Sequence, residues 1–255
     1  SLISSVTFMG GYSLCLCLIG LIYGFFTKFS LIRQADGLIL ALGVLFSIIL
    51  TVNTCLCIVG AKYGSLSVLF MFANLGTLVI SSVYGLITDP VRNHLNGFRV
   101  AGLFIVAIIT LLGALDKQSK TSDGKHNRRD GKKFLLICIL VFFFNGSALS
   151  VYNTFTTHRA EYGAFNFIFL YLFFCALLCG GILAVSLLLR RKKGTANEIR
   201  KCLSPQSSRW MLIYCILFFF SELTALKKTA IMPLVVQAPL ELAVQVILVA
   251  VADFL

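Results

Sequence analysis

The chain has 255 residues, 58% hydrophobic and only 13% charged, with a net charge of +12 and a mean hydropathy of +0.94. Soluble domains carry roughly a quarter charged residues, so this composition excludes a water-soluble globular protein. The excess of Lys and Arg does not point to nucleic acid, because it lies between apolar runs and no aromatic-and-basic module accompanies it.

Eight apolar runs follow one another at 4–26, 38–60, 65–87, 98–115, 134–155, 165–189, 210–226 and 231–255. A helix needs about 20 residues to cross a bilayer. None of the runs alternates apolar and polar as a barrel strand would. A helix satisfies its own backbone hydrogen bonds in lipid, so the expected class is all-α, a polytopic helical membrane protein. The first run has no basic leader and no cleavage site, which excludes a signal peptide. The chain opens on Ser1 and closes on "VADFL" inside an apolar run, so both ends read as cut.

The longest polar connection, "DKQSKTSDGKHNRRDGKK" (116–133), reads as a flexible basic linker. A second basic loop follows the sixth run, with Arg190, Arg191, Lys192, Lys193, Arg200, Lys201 and Arg209. Both loops fall on one side of the membrane, and the positive-inside rule makes that side cytoplasmic. Eight of the nine Cys sit within the apolar runs, where a thiol is a small apolar residue. The pairs Cys15/Cys17 and Cys55/Cys57 lack the His or carboxylate neighbours of a metal site. His94, His126 and His158 all fall in loops, and no Walker-type loop occurs. Neither an enzyme activity nor a cofactor is expected.

"GAKYGSLSVLFMFANLG" (60–76) is echoed by "ALKKTAIMPLVVQAPLE" (225–241). Lys62 falls on Lys227, Leu69 on Leu234, Ala73 on Ala238 and Leu75 on Leu240. The echo aligns the second run with the seventh. A unit of five helices is odd, so its repeat enters the membrane the other way up. The expectation is an inverted repeat of two five-helix units, with eight helices present of ten. Residues 1–115 form the first unit, 116–133 the linker and 134–255 the second unit. Such symmetry serves alternating access.

"AKYGS" (61–65), "LKKTA" (226–230) and "FFFNGSALSVYNTF" (142–155) carry a resemblance. The chain resembles the EamA-like transporters of the drug/metabolite transporter superfamily. The resemblance implies ten helices, a central cavity and export or exchange of small solutes, as a monomer or homodimer in a bacterial inner membrane. It also implies cytoplasmic termini, which would put the two basic loops outside, opposite to the charge reading.

A charge at mid-bilayer costs roughly 2.5 kcal/mol or more, so it should face the bundle interior. Glu241 sits within the last run, with Gln237 and Gln245 one turn either side on the same face. Glu241 either meets a cationic solute or a coupling proton, or pairs with a Lys or amide and locks helices. Glu222, five residues before Lys227, reads as an interfacial group paired with a lysine or as a functional carboxylate. Asn53, Asn74 and Asn145 could bind solute or bridge helices, and Tyr152 could line a cavity. Lys62 and Lys227 read as interfacial snorkels, and the pairs Gly10/Gly11 and Gly180/Gly181 as close-packing sites. The implied partners are a small-molecule solute, membrane lipid and protons. The competing readings are a non-transporting membrane scaffold or sensor and a membrane enzyme acting on lipid.

Overall fold

The computed structural model describes residues 2–27, 35–91, 93, 100–101, 104–105, 108, 128–189, 204–237 and 239–240. Among the described residues six long helices run in order: α1 (Leu2–Thr27), α2 (Gly37–Gly60), α3 (Leu66–Thr88), α4 (Arg128–His158), α5 (Ala164–Leu189) and α6 (Pro205–Ile231). A 3-10 turn at Ala160–Tyr162 joins α4 to α5. Residues 100–101, 104–105, 108, 234–237 and 239–240 are helical as well, and no described residue lies in a strand.

Four of these helices carry spans long and apolar enough to cross a membrane: Gly37–Gly60, Val68–Thr88, Gly131–His158 and Ala164–Val185. Their lengths are 24, 21, 28 and 22 residues, against the ~20 that a bilayer core demands. Their outward faces stay apolar. Leu45 of α2 is 47% exposed, Val83 of α3 50%, Phe143 of α4 56% and Leu177 of α5 57%. Water would not tolerate so many exposed large apolar side chains, whereas lipid tails would cover them. The protein is therefore an all-helical integral membrane protein.

The helix bounds follow the apolar runs closely for α1, α2, α3 and α5. Two bounds differ. The helix α4 begins at Arg128, so the end of the basic linker is already helical. Arg and Lys are good helix formers, and adding a turn to an existing helix is cheap compared with nucleating one. The helix α6 runs on to Ile231, so "LKKTA" is helix rather than bend. The chain turns instead at Met232 and Pro233, with the amides of Val236 and Gln237 bonded back to the Pro233 carbonyl. Leu226 to Ala230 contains no helix breaker, and proline disfavours helical backbone in the residue before it. In "AKYGS" the break falls earlier, because the amides of Tyr63 and Gly64 close on the carbonyl of Gly60. The aligned residues Leu69 and Leu234 are nevertheless both fully buried.

Two compact units divide the chain. The first holds residues 1–55 and 154–227, the second 56–153 and 228–255, so each draws on both halves of the sequence.

In the first unit α5 is the buried element. Phe167, Ile168, Tyr171, Leu172, Cys175 and Cys179 on it are all at 0% exposure. On one side α1 lies so close that a Cβ on Gly10 would stand 3.0 Å from the Cβ of Cys179. Gly10 is thus a close-packing glycine as expected, whereas Gly180 and Gly181 have open space around them. Phe46 of α2 lies 4.6 Å from the Tyr171 ring, and Phe219 of α6 lies 5.6 Å from Phe169. The turn into α5 needs a glycine, since Gly163 has φ +85°. Its amide bonds the Ala160 carbonyl at 3.0 Å, and Tyr162 is buried beneath the turn.

The second unit is built on α3 and α4. Leu69, Ala73, Ile137, Cys138 and Val141 form its core, with Leu56, Phe72 and Phe134 packed against it. A Cβ on Gly76 would collide with the Phe142 carbonyl of α4, and one on Gly146 with the Gly76 carbonyl of α3. The two backbones therefore touch. Lipid supplies no hydrophobic force between helices, so such contact and interhelical hydrogen bonds must hold them. The "AKYGS" bend docks on the start of α4, where Lys133 Nζ sits 5.5 Å from the Tyr63 ring centre. Gly64 leaves the space that Phe134 fills.

Candidate functional site

The polar interior of the first unit is laid along α5. Tyr171, Cys175 and Cys179 repeat every four residues, which puts them on one helix face. The Tyr171 hydroxyl donates to Glu222 Oε2 of α6 at 2.9 Å. Tyr12 of α1 is buried close to Glu222, Cys175 and Cys179. It also stacks edge-on against Tyr214 at 5.2 Å and lies 5.3 Å from Phe218. One turn along α5, Thr51 Oγ1 of α2 stands 3.4 Å from Cys175 Sγ. Each of these groups is short or aromatic except Glu222, the one acidic residue among them. The arrangement is a carboxylate with one hydroxyl donor, walled by aromatic rings, inside four apolar helices.

Glu222 departs from the simplest expectation. Its described partner is a tyrosine 51 residues back on another helix, not a neighbouring lysine. Lys227, which lies five residues on, is exposed, as is Lys62. Of the other expected residues, Asn53 is half-buried on α2 in the first unit. Asn74, Asn145, Tyr152 and Gln237 belong to the second unit. Asn74 is half-buried there, while Tyr152 and Gln237 are buried at 4% and 1% exposure. Asn145 bridges helices: its Nδ2 donates to the Ala73 carbonyl at 3.0 Å and to Thr77 Oγ1 at 2.8 Å. Glu241 and Gln245 lie outside the described residues, and with them the polar stripe expected around Glu241.

Asn93 carries no sequence signal and yet is 1% exposed. Its Nδ2 donates to the Asp89 carbonyl at 3.1 Å, and its Oδ1 accepts the Val235 amide at 3.4 Å. It satisfies an amide left open at the start of the helix after Pro233. The glycine at 85 makes room for it, with a Cβ there falling 3.0 Å from the Asn93 side chain.

Two concave places flank the interior of the first unit. A groove of about 580 Å³ is lined by Val44, Phe174, Leu177, Leu178, Ile182 and other residues of α2 and α5. Its hydroxyl, Ser47, already donates to the Val44 carbonyl at 2.7 Å, so the groove offers lipid-like surface and little to recognise a polar solute. A second cavity of about 410 Å³ lies at the α2 start, lined by Asp36, Ile39, Arg159, Glu161 and Tyr162. Asp36 Oδ1 accepts the Ile39 amide at 2.8 Å as an N-cap, while Oδ2 takes the Arg159 guanidinium. The Ile39 amide above all, with the Arg159 guanidinium beside it, holds the Asp36 carboxyl below its ordinary range against the opposing effect of desolvation. Burial pushes the Tyr162 hydroxyl up to about 12.

Among the described residues no group of three or more His, Cys, Asp or Glu is placed to share a metal ion. No protein-family model, no curated protein and no solved structure matches this chain.

Proposed function

We propose that the protein is a secondary active transporter of a small organic solute, working by alternating access in the plasma membrane of a bacterial cell. The observation that carries this reading is the Tyr171–Glu222 pair within the helix bundle of the first unit. A carboxylate in the bilayer costs several kcal/mol, and membrane proteins keep one where a solute or a proton must bind. Tyr171 orients the carboxylate, and the rings of Tyr12 and Tyr214 favour a cationic or zwitterionic solute beside it. Protonation of Glu222 would compete with that solute and so couple the two fluxes. The sequence echo around Lys62 and Lys227 supports the inverted repeat that alternating access uses. The basic loops place 116–133 and 190–209 in the cytoplasm.

Full-length protein should first be screened for solutes that raise its melting temperature, and each hit then tested in proteoliposomes holding a pH-sensitive dye. The expected result is solute-driven proton movement that Glu222→Gln cuts by roughly tenfold or more while the protein stays folded. If no stabilising solute crosses the membrane, the transporter reading is lost. If flux is unchanged in Glu222→Gln, the carboxylate has no part in it. For orientation, Cys202 is the loop cysteine. An impermeant maleimide that labels it from outside intact cells would reverse the cytoplasmic placement.

A further inference from the structure

All four helices of the first unit carry buried or half-buried thiols. Cys175 and Cys179 of α5 are both at 0% exposure and lie one turn apart on one helix face. Cys17 of α1 and Cys55 of α2 lie in the neighbourhood of Cys175, and Cys215 of α6 in that of Cys17. Read one at a time, each is a small apolar residue. Together they are a concentration of soft ligands that packing alone does not require, since Ala or Ser would fill the same space.

Two hydroxyls surround the pair. Thr51 Oγ1 stands 3.4 Å from Cys175 Sγ. The Ser13 hydroxyl, at 0% exposure, approaches the same sulfur from α1, yet its oxygen completes no hydrogen bond of good geometry. A fully buried hydroxyl left in that state is costly. It becomes favourable if the sulfur beside it turns into a thiolate, which accepts hydrogen bonds far more strongly than a thiol.

We propose that Cys175 and Cys179 form a two-thiol site for a soft, closed-shell monovalent cation of the Cu(I) class, with Thr51 and Ser13 as its supporting hydroxyls. The ligand count selects the ion. Zinc sites take four ligands, or three with an open position, and no group of three ligands is assembled among the described residues. Thiolate selects Cu(I) among biological cations of low coordination number. The i, i+4 spacing puts both sulfurs on one face of α5. Loading releases one proton: one sulfur binds as thiolate, the other as neutral thiol, and no electron moves. The filled site is then neutral, as a low-dielectric interior demands. This inference stands apart from the transporter reading, because it concerns binding at α5 and not flux.

The test uses Ag(I) in chloride-free buffer, since Ag(I) shares the soft closed-shell character of Cu(I) and does not change oxidation state in air. The purified full-length protein should retain one equivalent of Ag(I) with an ultraviolet sulfur-to-metal band. Cys175→Ala and Cys179→Ala should each abolish that equivalent, and Thr51→Val should weaken it by about tenfold. Cys57→Ala and Cys138→Ala, in the second unit, should leave it intact. Retention of the equivalent in both α5 variants, or its loss in the second-unit variants alone, overturns the site, as does a wild-type protein that takes up no Ag(I). Should the α5 variants fail to fold, X-ray absorption on the Ag(I)-loaded wild type decides. Two sulfur neighbours support the site, and nitrogen or oxygen neighbours overturn it.

Discussion

The two compact units of this protein use their buried polar groups in opposite ways. In the second unit, Asn145 spends both of its donor hydrogens on α3, and Gly76 and Gly146 bring the backbones of α3 and α4 into contact. These groups serve the contact between the two helices. In the first unit the helices are held by rings and bulky side chains, and the polar groups lie along α5 as Tyr171, Cys175 and Cys179, with Glu222 bound by one hydroxyl. The difference separates polar groups that fasten helices from polar groups that the fastening leaves over. It is the second kind that marks a functional interior in a membrane protein, because lipid gives no reason to keep them.

That contrast can be broken in several places. The largest effect is expected at Gly76→Leu, whose side chain would have to displace the Phe142 carbonyl of α4. Overpacking against backbone should cost about 3 kcal/mol or more, read as loss of the folded, monodisperse protein in detergent. Next, Tyr171→Phe leaves Glu222 without its hydroxyl donor. It should destabilise by about 2 kcal/mol in denaturant titration and lower solute flux, since the carboxylate is no longer oriented. Asn145→Ala removes two interhelical bonds and should cost only about 1 kcal/mol, because bonds of this kind in membranes are worth no more than that.

The smallest effect belongs to the exposed Asp36–Arg159 pair. The folded-state pKa of Asp36 is lowered, so its contribution is present above the ordinary carboxylate value and is lost as pH falls through the lowered one. Wild-type protein should therefore lose a small increment of thermal stability below about pH 4 that Asp36→Asn never had. Equal acid profiles for the two would show that Asp36 contributes nothing measurable there.

The membrane class and most helix bounds were legible in the sequence. Long apolar runs need only length and hydropathy to be seen, so 38–60 became Gly37–Gly60 and 165–189 became Ala164–Leu189. Charge obscured the rest. Arg128 to Lys133 looked like linker, and Lys227 and Lys228 looked like a bend, although each continues a helix that it follows or precedes. Pro233 was the better signal, because it removes a backbone donor whatever its neighbours are.

The site was less legible for a different reason. The Tyr171–Glu222 bond joins residues on two helices, and the thiols come from four, so no window of sequence displays either. The recurrence of Tyr171, Cys175 and Cys179 at every fourth residue was in view, but hydropathy treats all three as helix filler. Asn145 had two open readings, and its hydrogen bonds to Ala73 and Thr77 are visible only in three dimensions.

The most direct test of the central contrast measures flux and stability together in Glu222→Gln and Asn145→Ala, using full-length protein in proteoliposomes. The amide of Gln can still accept the Tyr171 hydroxyl, so Glu222→Gln should keep its melting temperature and lose solute-driven proton flux. Asn145→Ala should lose stability and keep its flux per folded molecule. Unchanged flux in Glu222→Gln, with flux abolished in folded Asn145→Ala, would contradict the assignment of function to the first unit.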